Sequence, residues 1–299
     1  MGQRKDTLWK GVLEWVFEDL LRFVFPEADT VFDIQKGFGF LDKELAEMYP
    51  EPEKKTNVRV VDKLVKAFRK DGGEEWVLIH IEIQDQTKVK DRPLFPERMF
   101  RYFIRCYDRY QKPVAAISIF TGRDGKRLPG RYEYSFMNTR LQYQYNTLCI
   151  LDYSDQELGE SKNPFAWVML VAKIALLKGK EVDAALLKGK LFIFRKLYEN
   201  GVFEKRKLQA ILTFLNNYVR FENKETYRTF NNEIDKITEK ENTMDIFEIA
   251  AEMRAEEKAW VIVKNLLTKT SHPVEEIASL ADVSIDFVKE VKKSLKRKK

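Results

Sequence analysis

Residues 58–84 read VRVVDKLVKAFRKDGGEEWVLIHIEIQ, and this stretch predicts a β-hairpin. Two runs rich in valine and isoleucine flank the Asp-Gly-Gly segment at 71–73, and such a segment between apolar runs is a strong hairpin signal. Side chains alternate across a strand. Glu82 and Gln84 therefore share one face of the second run, and Asp62 belongs to the corresponding face of the first.

The register of this hairpin determines which acidic residues meet. A symmetric hairpin centred on Gly72 places Asp62 directly opposite Glu82, and directly opposed Cβ atoms lie ~5 Å apart. Two carboxylates at that distance in an apolar hairpin repel each other and lose hydration. Oxygen ligands of this kind suit Mg²⁺ or Mn²⁺. The hairpin therefore predicts a metal site at Asp62 and Glu82, provided that no bulge shifts the register by one residue.

The spacing of Asp62 and Glu82-Ile83-Gln84 resembles the PD-(D/E)XK nuclease signature, with Gln84 where lysine is usual. Together with five further segments, this variant resembles the Rpn (recombination-promoting nuclease, transposase-like) family from about Asp6 to the C-terminus. The segments are TLWKGVLEWVFEDLLRFVFPE, LDKEL, ERMFRYFIRCYDRY, PVAAISIFTG and NPFAWVMLVAK. The ordered set of segments is much more specific than the short acidic motif alone.

The resemblance implies a metal-dependent DNA endonuclease linked to DNA recombination or mobile elements. Asp62 and Glu82 would hold Mg²⁺ or Mn²⁺, the carbonyl of Ile83 would be a further ligand, and Gln84 would position the attacking water. Gln84 cannot supply the positive charge of a lysine, which puts the efficiency of the chemistry in question.

The first helix of the resembled fold often adds an acidic residue to the site. Glu14 and Glu18 lie one helical turn apart and either fits this role, with Glu18 taken as the candidate. A plain solvated helix face is the simpler explanation of both residues.

Composition limits the class of protein. The chain has 299 residues, 44% of them apolar, which is enough for one large or two small domains with a sizeable core. It has no run of 18 apolar residues and no signal-peptide segment, so we expect a cytoplasmic protein outside the membrane. Cys106 and Cys149 lie in apolar patterns and are expected in the core. Two histidines and no C-x-x-C motif argue against zinc.

Positive charge is concentrated in one stretch. Residues 88–131 contain 12 Lys or Arg against 4 Asp or Glu, which suggests a polyanionic partner. Within them, 96–111 reads as a helix with an arginine stripe on one edge, formed by Arg98, Arg101, Arg105 and Arg109. Arginine matches phosphate geometry, so the stripe predicts DNA contact, with Tyr102 beside it to stack on a base or to shield the helix. The alternative is a solvated face that pairs with Glu97 and Asp108.

Element order predicts an α/β, restriction-endonuclease-like core with a central mixed sheet flanked by helices, followed by an all-helical region. A first helix at 8–25 capped by Thr7, a buried strand at 113–121 and Tyr-rich strands at 131–136 and 143–151 complete the core. The predicted domains are the nuclease-like domain at 1–155, a helical region at 156–243 and C-terminal helices at 244–299.

The C-terminal helices contain a segment that resembles a helix-turn-helix, although its turn at 281–283 lacks the usual glycine. DNA contact and a helical cap or dimerisation element are both open for this segment. If the segment is a dimerisation element, the helical C-terminal region mediates a homo-oligomer.

Two other functions remain open beside the nuclease. A non-catalytic DNA-binding protein would keep the fold and the arginine stripe, with the acidic pair as a relict. A structural or assembly protein would use the helical half for oligomers. Metal-dependent nicking of DNA separates the non-catalytic DNA-binding protein from the nuclease. Loss of oligomers on truncation before Ile246, with unchanged DNA affinity, would support the assembly protein.

Overall fold

The structure, a computed structural model, describes residues 2–41, 60–71, 76–84, 94–123, 129–177, 181–200, 203–238, 244–270 and 272–296. Contacts divide the chain into two compact units, which are Trp9–Lys178 and the combination of Met1–Leu8 with Gly179–Lys299. The first unit contains all the described strands, and the second is helical. The predicted boundary near 155 lies earlier than this division.

A five-stranded sheet forms the centre of the first unit, in the order β1-β2-β3-β4-β7. Pairing is antiparallel from β1 to β3 and parallel from β3 to β7. The five strands are β1 (Phe38–Phe40), β2 (Val60–Phe68), β3 (Trp76–Gln84), β4 (Val114–Phe120) and β7 (Asn146–Cys149). A separate two-stranded ribbon consists of β5 (Arg131–Phe136) and β6 (Thr139–Gln144). The α/β character of the chain and its mixed sheet are thus confirmed.

Helices cover both faces of this sheet. The helices described between residues 2 and 174 are α1 (Gly2–Trp15), α2 (Phe17–Val24), α3 (Ala28–Val31), α4 (Leu94–Tyr110), α5 (Asp155–Glu160) and α6 (Pro164–Ile174). Phe17 of α2 contacts the rings of Phe38 and Phe40 at 4.8 and 5.8 Å between centroids, so α2 packs on one face. On the other face, Phe95 of α4 contacts Phe120 at 5.3 Å. The sheet therefore lies between α1–α2 and α4.

Three sequence predictions differ from the structure. The first helix is two helices that meet at Val16, and it begins at Gly2, so Thr7 is an interior residue and not an N-cap. The predicted strand at 143–151 is divided, since β6 ends at Gln144, β7 begins at Asn146, and a 3-10 turn occupies Ile150–Asp152. The predicted turn at Gly72 lies outside the described residues.

A buried lysine joins α1 to the sheet. Lys63 of β2 is 0% exposed, and its Nζ donates a 2.8 Å hydrogen bond to Glu14 Oε1 while lying 4.4 Å from the centroid of the Phe40 ring. A buried ammonium is costly unless it is paired and hydrogen-bonded. Glu14 therefore has a structural role on the face covered by α1, although its own side chain is half-exposed.

Six helices are described in the second unit from residue 181 onward. These are α7 (Val182–Asn200), α8 (Lys205–Tyr218), α9 (Lys224–Thr238), α10 (Met244–Lys269), α11 (Val274–Leu280) and α12 (Ile285–Lys296). Lys190 of α7 is 1% exposed, and its Nζ donates to Asn216 Oδ1 and the Val219 carbonyl at 3.3 and 3.1 Å. The rings of Phe221 and Phe230 lie 4.7 and 4.5 Å from the same nitrogen. This cation ties α7 to α8 and α9.

The C-terminal helices form the predicted helix-turn-helix shape. Ile277, Val288 and Val291 pack with Val263 of α10 in one small core. The missing turn glycine is replaced by Asp282, which takes φ 50° in the left-handed region that Asp and Asn tolerate best among non-glycine residues. Ser284 Oγ then accepts a 3.1 Å hydrogen bond from the Phe287 amide and caps α12.

The ion pair of Lys63 generates a stability prediction. Glu14→Gln removes the charge beside a fully buried ammonium but keeps the side-chain length. We expect it to lower the free energy of unfolding by about 1–3 kcal/mol, measured by urea denaturation. Glu27→Gln, at an exposed carboxylate of the same unit, is the matched control and should change stability little. Equal stability of Glu14→Gln and the control would show that the pair contributes nothing.

Candidate functional site

The predicted register of the hairpin is confirmed. Asp62 of β2 is the direct partner of Glu82 of β3, and Val60 is the partner of Gln84. No bulge interrupts the pairing of 60–68 with 76–84. The side chains of Asp62, Glu82 and Gln84 lie outside the described part of the chain, so their positions are defined by the backbone register.

A row of polar residues continues this pair across the sheet. Glu82 is the partner of Ser118 on β4, and Ser118 is the partner of Thr147 on β7. We call Asp62, Glu82, Ser118 and Thr147 the polar row. The row lies two residues before the ends of β3 and β4, near the carboxyl edge of their parallel pair, and ligands of α/β sheets bind at that edge.

Ser118 is the described member of the row with an unusual environment. It is 0% exposed, and its Oγ has no hydrogen-bond partner among the described residues. A buried hydroxyl without a partner costs about 1–3 kcal/mol, and such groups in native structures call for an explanation. Ser118 is not among the site residues predicted from the sequence, although a lone serine in a run expected to be buried on both faces was the available signal.

The face of the sheet that carries the polar row is covered by α4. Ala116 and Phe120, which flank Ser118 on the same face of β4, pack in one core with Phe95 and Met99 of α4. Cys106 packs beside Leu64, and burial raises the pKa of its thiol to about 11. Cys106 is therefore a packing residue, as the sequence predicted, and not an activated nucleophile.

The structure does not bring Glu18 to the polar row. Lys63 belongs to the adjacent row, and adjacent rows of a sheet belong to opposite faces. Its contact with Glu14 puts α1 on the face opposite to the polar row, and the ring contacts of Phe17 place α2 there as well. Glu18 of α2 instead accepts a 3.1 Å hydrogen bond from Arg22.

Ile83 lies inside the sheet. It pairs with Val61 on one side and with Ile119 on the other. A backbone carbonyl in this position is directed along the sheet toward a neighbouring strand. A contribution of the Ile83 carbonyl to metal binding stays a prediction that requires the ladder to open locally.

The arginine stripe lies on α4 as predicted, but its four members differ in their exposure to solvent. Arg101, Arg105 and Arg109 are exposed, and Arg101 forms the predicted ion pair with Glu97 at 2.6 Å. Arg98 is half-buried, with its guanidinium carbon 5.2 Å from the centroid of the Phe95 ring. Phe95 in turn contacts Phe120, so Arg98 is the member of the stripe that packs beside the last residue of β4.

Tyr102 does not have the environment expected for base stacking. It is 7% exposed and belongs to the buried side of α4. A base needs an open ring face, so of its two predicted roles only that of a packing residue fits. The exposed aromatic residue of this helix is Tyr107, at 49% exposure, which sequence analysis did not select.

The side chains in the described part of the chain contain no group of three or more His, Cys, Asp or Glu residues that could hold a metal ion. The described helices also include none with the length and apolar composition that a membrane crossing requires. Comparison of the chain with protein-family models, curated proteins and solved structures gave no match.

The buried hydroxyl generates the prediction for this site. Ser118→Ala removes an oxygen that has no hydrogen-bond partner among the described residues and leaves the packing of β4 intact, so we expect the free energy of unfolding to rise by about 1 kcal/mol. Thermal and urea unfolding of the two proteins measure this change. Thr121→Ala, at a buried hydroxyl three residues along the chain, is the control and should be neutral or destabilising. A loss of stability in Ser118→Ala would mean that the hydroxyl is already satisfied.

Proposed function

We propose that this chain is a metal-dependent DNA endonuclease with a PD-(D/E)XK core. The observation that carries the proposal is the register, which sets Glu82 opposite Asp62 on one side and opposite the buried Ser118 on the other. A sheet that is antiparallel through β3 and parallel beyond it, with α4 connecting β3 to β4, supports this assignment. The ordered segments that resemble the Rpn family support it independently.

The donor set fits a hard divalent cation. Asp62 and Glu82 supply carboxylate oxygens from opposed positions, and the hydroxyl of Ser118 is a neutral oxygen in the next position of the polar row. A bound Mg²⁺ or Mn²⁺ would supply Lewis-acid stabilisation of charge on the scissile phosphate and lower the pKa of water. Gln84, one step along the strand, would orient the attacking water through its amide.

Arginines of α4 would hold the DNA backbone. Arg101, Arg105 and Arg109 are exposed on the helix that covers the polar row. Guanidinium groups bind phosphates through paired hydrogen bonds and carry no base preference. This arrangement would bring a phosphodiester chain to the carboxyl edge of β3 and β4.

The second candidate is a non-catalytic DNA-binding protein on the same fold. The complete burial of Ser118 favours it, because a closed position beside Glu82 leaves little room for a phosphate unless α4 moves. Metal-dependent nicking separates the two candidates.

Removal of the acidic pair tests the endonuclease. Asp62→Ala and Glu82→Ala should each abolish nicking of supercoiled plasmid in Mn²⁺, measured beside Mg²⁺ and EDTA. Removal of one carboxylate also relieves repulsion in the metal-free protein, so the melting temperature should hold or rise slightly. Asp71→Ala, at an exposed carboxylate near the turn of the same hairpin, is the matched control and should nick normally. Wild-type rates in both site variants would refute the site assignment.

The arginine stripe has its own test by salt dependence. The logarithm of the binding constant changes with the logarithm of salt by about 0.9 per duplex phosphate contact. Arg101→Gln with Arg105→Gln should therefore flatten the slope by roughly 1–2 units and weaken binding similarly for all sequences. Fluorescence anisotropy of a labelled duplex measures both quantities.

The control for the stripe is an equally charged change elsewhere. Arg195→Gln with Arg206→Gln removes two exposed arginines from the helical unit, one of them ion-paired as Arg101 is. If the stripe variant and this control have the same salt slope as the wild type, the stripe is a solvated face.

A further inference from the structure

The tip of the β5–β6 ribbon exposes two large apolar side chains. Phe136 is 61% exposed and Met137 is 83% exposed, and no other large apolar side chain in the described residues is as exposed as Met137. We call Phe136 and Met137 the ribbon tip. Single exposed apolar residues are ordinary, but adjacent ones at the end of a projecting element indicate a contact surface.

The backbone conformation of the ribbon tip is also unfavourable for the residues that occupy it. Phe136 pairs with Thr139, so Met137 and Asn138 form a two-residue turn, and Met137 has φ 49°. Such turns favour Gly, Asn or Asp, and a bulky residue with positive φ is strained. Closure of the hairpin requires the positive φ of Met137, but it explains neither the presence of a bulky apolar residue at this position nor its exposure.

The base of the ribbon is anchored firmly on α4. Tyr132 stacks on Phe100 with 5.0 Å between ring centroids, and Tyr143 lies 4.9 Å from Phe103. Tyr143 is 9% exposed, whereas Tyr134, nearer the tip, is 46% exposed. The ribbon is thus held by its aromatic base while its outer end remains in solvent.

The ribbon and the helix that anchors its base are cationic. Helix α4 and the ribbon together carry six arginines against three acidic residues. Arg131 is paired with Glu133 at 3.2 Å, whereas the exposed Arg140, next to Thr139 at the turn, has no ion pair with any described residue. An apolar tip on a cationic ribbon is complementary to duplex DNA, whose phosphates line the groove and whose base faces are apolar.

We propose that the β5–β6 ribbon is a DNA wedge that inserts Phe136 and Met137 between neighbouring base pairs. Phe and Met are among the residues that unstack a base step and kink the duplex. Arg140 and the stripe on α4 hold the flanking phosphates, and the anchored base prevents the ribbon from folding away. The inference rests on the proposed function in that it takes DNA as the ligand, but it does not require cleavage.

Other occupants fit the tip less well. A stable protein interface covers about 800 Å² on each partner, and an aromatic side chain covers only about 150–250 Å². A lipid surface would accept the apolar tip and the arginines, and it is separated from DNA by the experiment below.

The test combines Phe136→Ser with Met137→Asn. Asparagine suits the left-handed turn, so the hairpin should be as stable as in the wild type or more so, which circular dichroism and thermal unfolding check. Val31→Ser removes an exposed apolar side chain elsewhere in the same unit, with 38% exposure, and is the matched control.

The probe is a duplex with 2-aminopurine at successive positions, bound in EDTA to prevent cleavage. The wild type and Val31→Ser should raise the 2-aminopurine fluorescence and bind a duplex with one mismatched pair more tightly than the matched duplex, because a mismatched base costs less to unstack. The tip variant should lose both effects and bind the matched duplex roughly tenfold more weakly. Its salt slope should stay unchanged, since no phosphate contact is removed.

The outcomes separate failure of the wedge proposal from failure of the proposed endonuclease function. If the wild type binds and nicks DNA but the tip variant keeps the fluorescence rise and the mismatch preference, the wedge is overturned and the endonuclease stands. If the wild type has no DNA affinity, both proposals are overturned. Tip-dependent binding to phosphatidylserine vesicles without unstacking of DNA, or tip-dependent self-association in sedimentation, would assign the tip to a lipid or to a second copy.

Discussion

The pairing of β2 with β3 is the constraint on which the first unit depends. β1 attaches to the outer edge of β2, and β4 attaches to the outer edge of β3, so this hairpin fixes the position of every other strand in the sheet. A shift of one residue would exchange the two faces of a strand. It would move Lys63 away from Glu14 and Leu64 away from α4, and the acidic pair would no longer be aligned with Ser118.

Each compact unit buries a lysine, and the two buried ammonium groups are stabilised by different contacts. Lys63 is paired with the carboxylate of Glu14, whereas Lys190 contacts an amide oxygen, a backbone carbonyl and two aromatic rings. Oxygen dipoles and ring faces also stabilise a buried ammonium. Both lysines cross-link elements distant in sequence, which a leucine of similar volume could not do with the same directionality.

Helix α4 packs on both the sheet and the ribbon because its apolar residues are spaced over two sides of the helix. Phe95, Met99 and Cys106 face the sheet, and Phe100 and Phe103 face the ribbon. Arg101, Arg105 and Arg109 extend into solvent from what remains of the circumference, whereas Arg98 is half-buried beside Phe95. The same helix therefore fixes the cover of the polar row, the base of the ribbon and the cationic surface, so any displacement of α4 would move all three together.

The sequence by itself determined the hairpin and its register, because alternation and turn chemistry act over neighbouring residues and leave one pairing that buries the apolar side chains. It also determined most helix positions, the buried cysteines and the arginine stripe. Tertiary structure alone decided that Ser118 joins the acidic row, because parallel pairing of β3 with β4 sets residues 36 positions apart side by side. It likewise decided that Glu14 serves Lys63, that Glu18 lies on the opposite face of the sheet from the row, and that Tyr102 is covered. Such contacts depend on which helix packs on which face, and local periodicity carries no information about that choice.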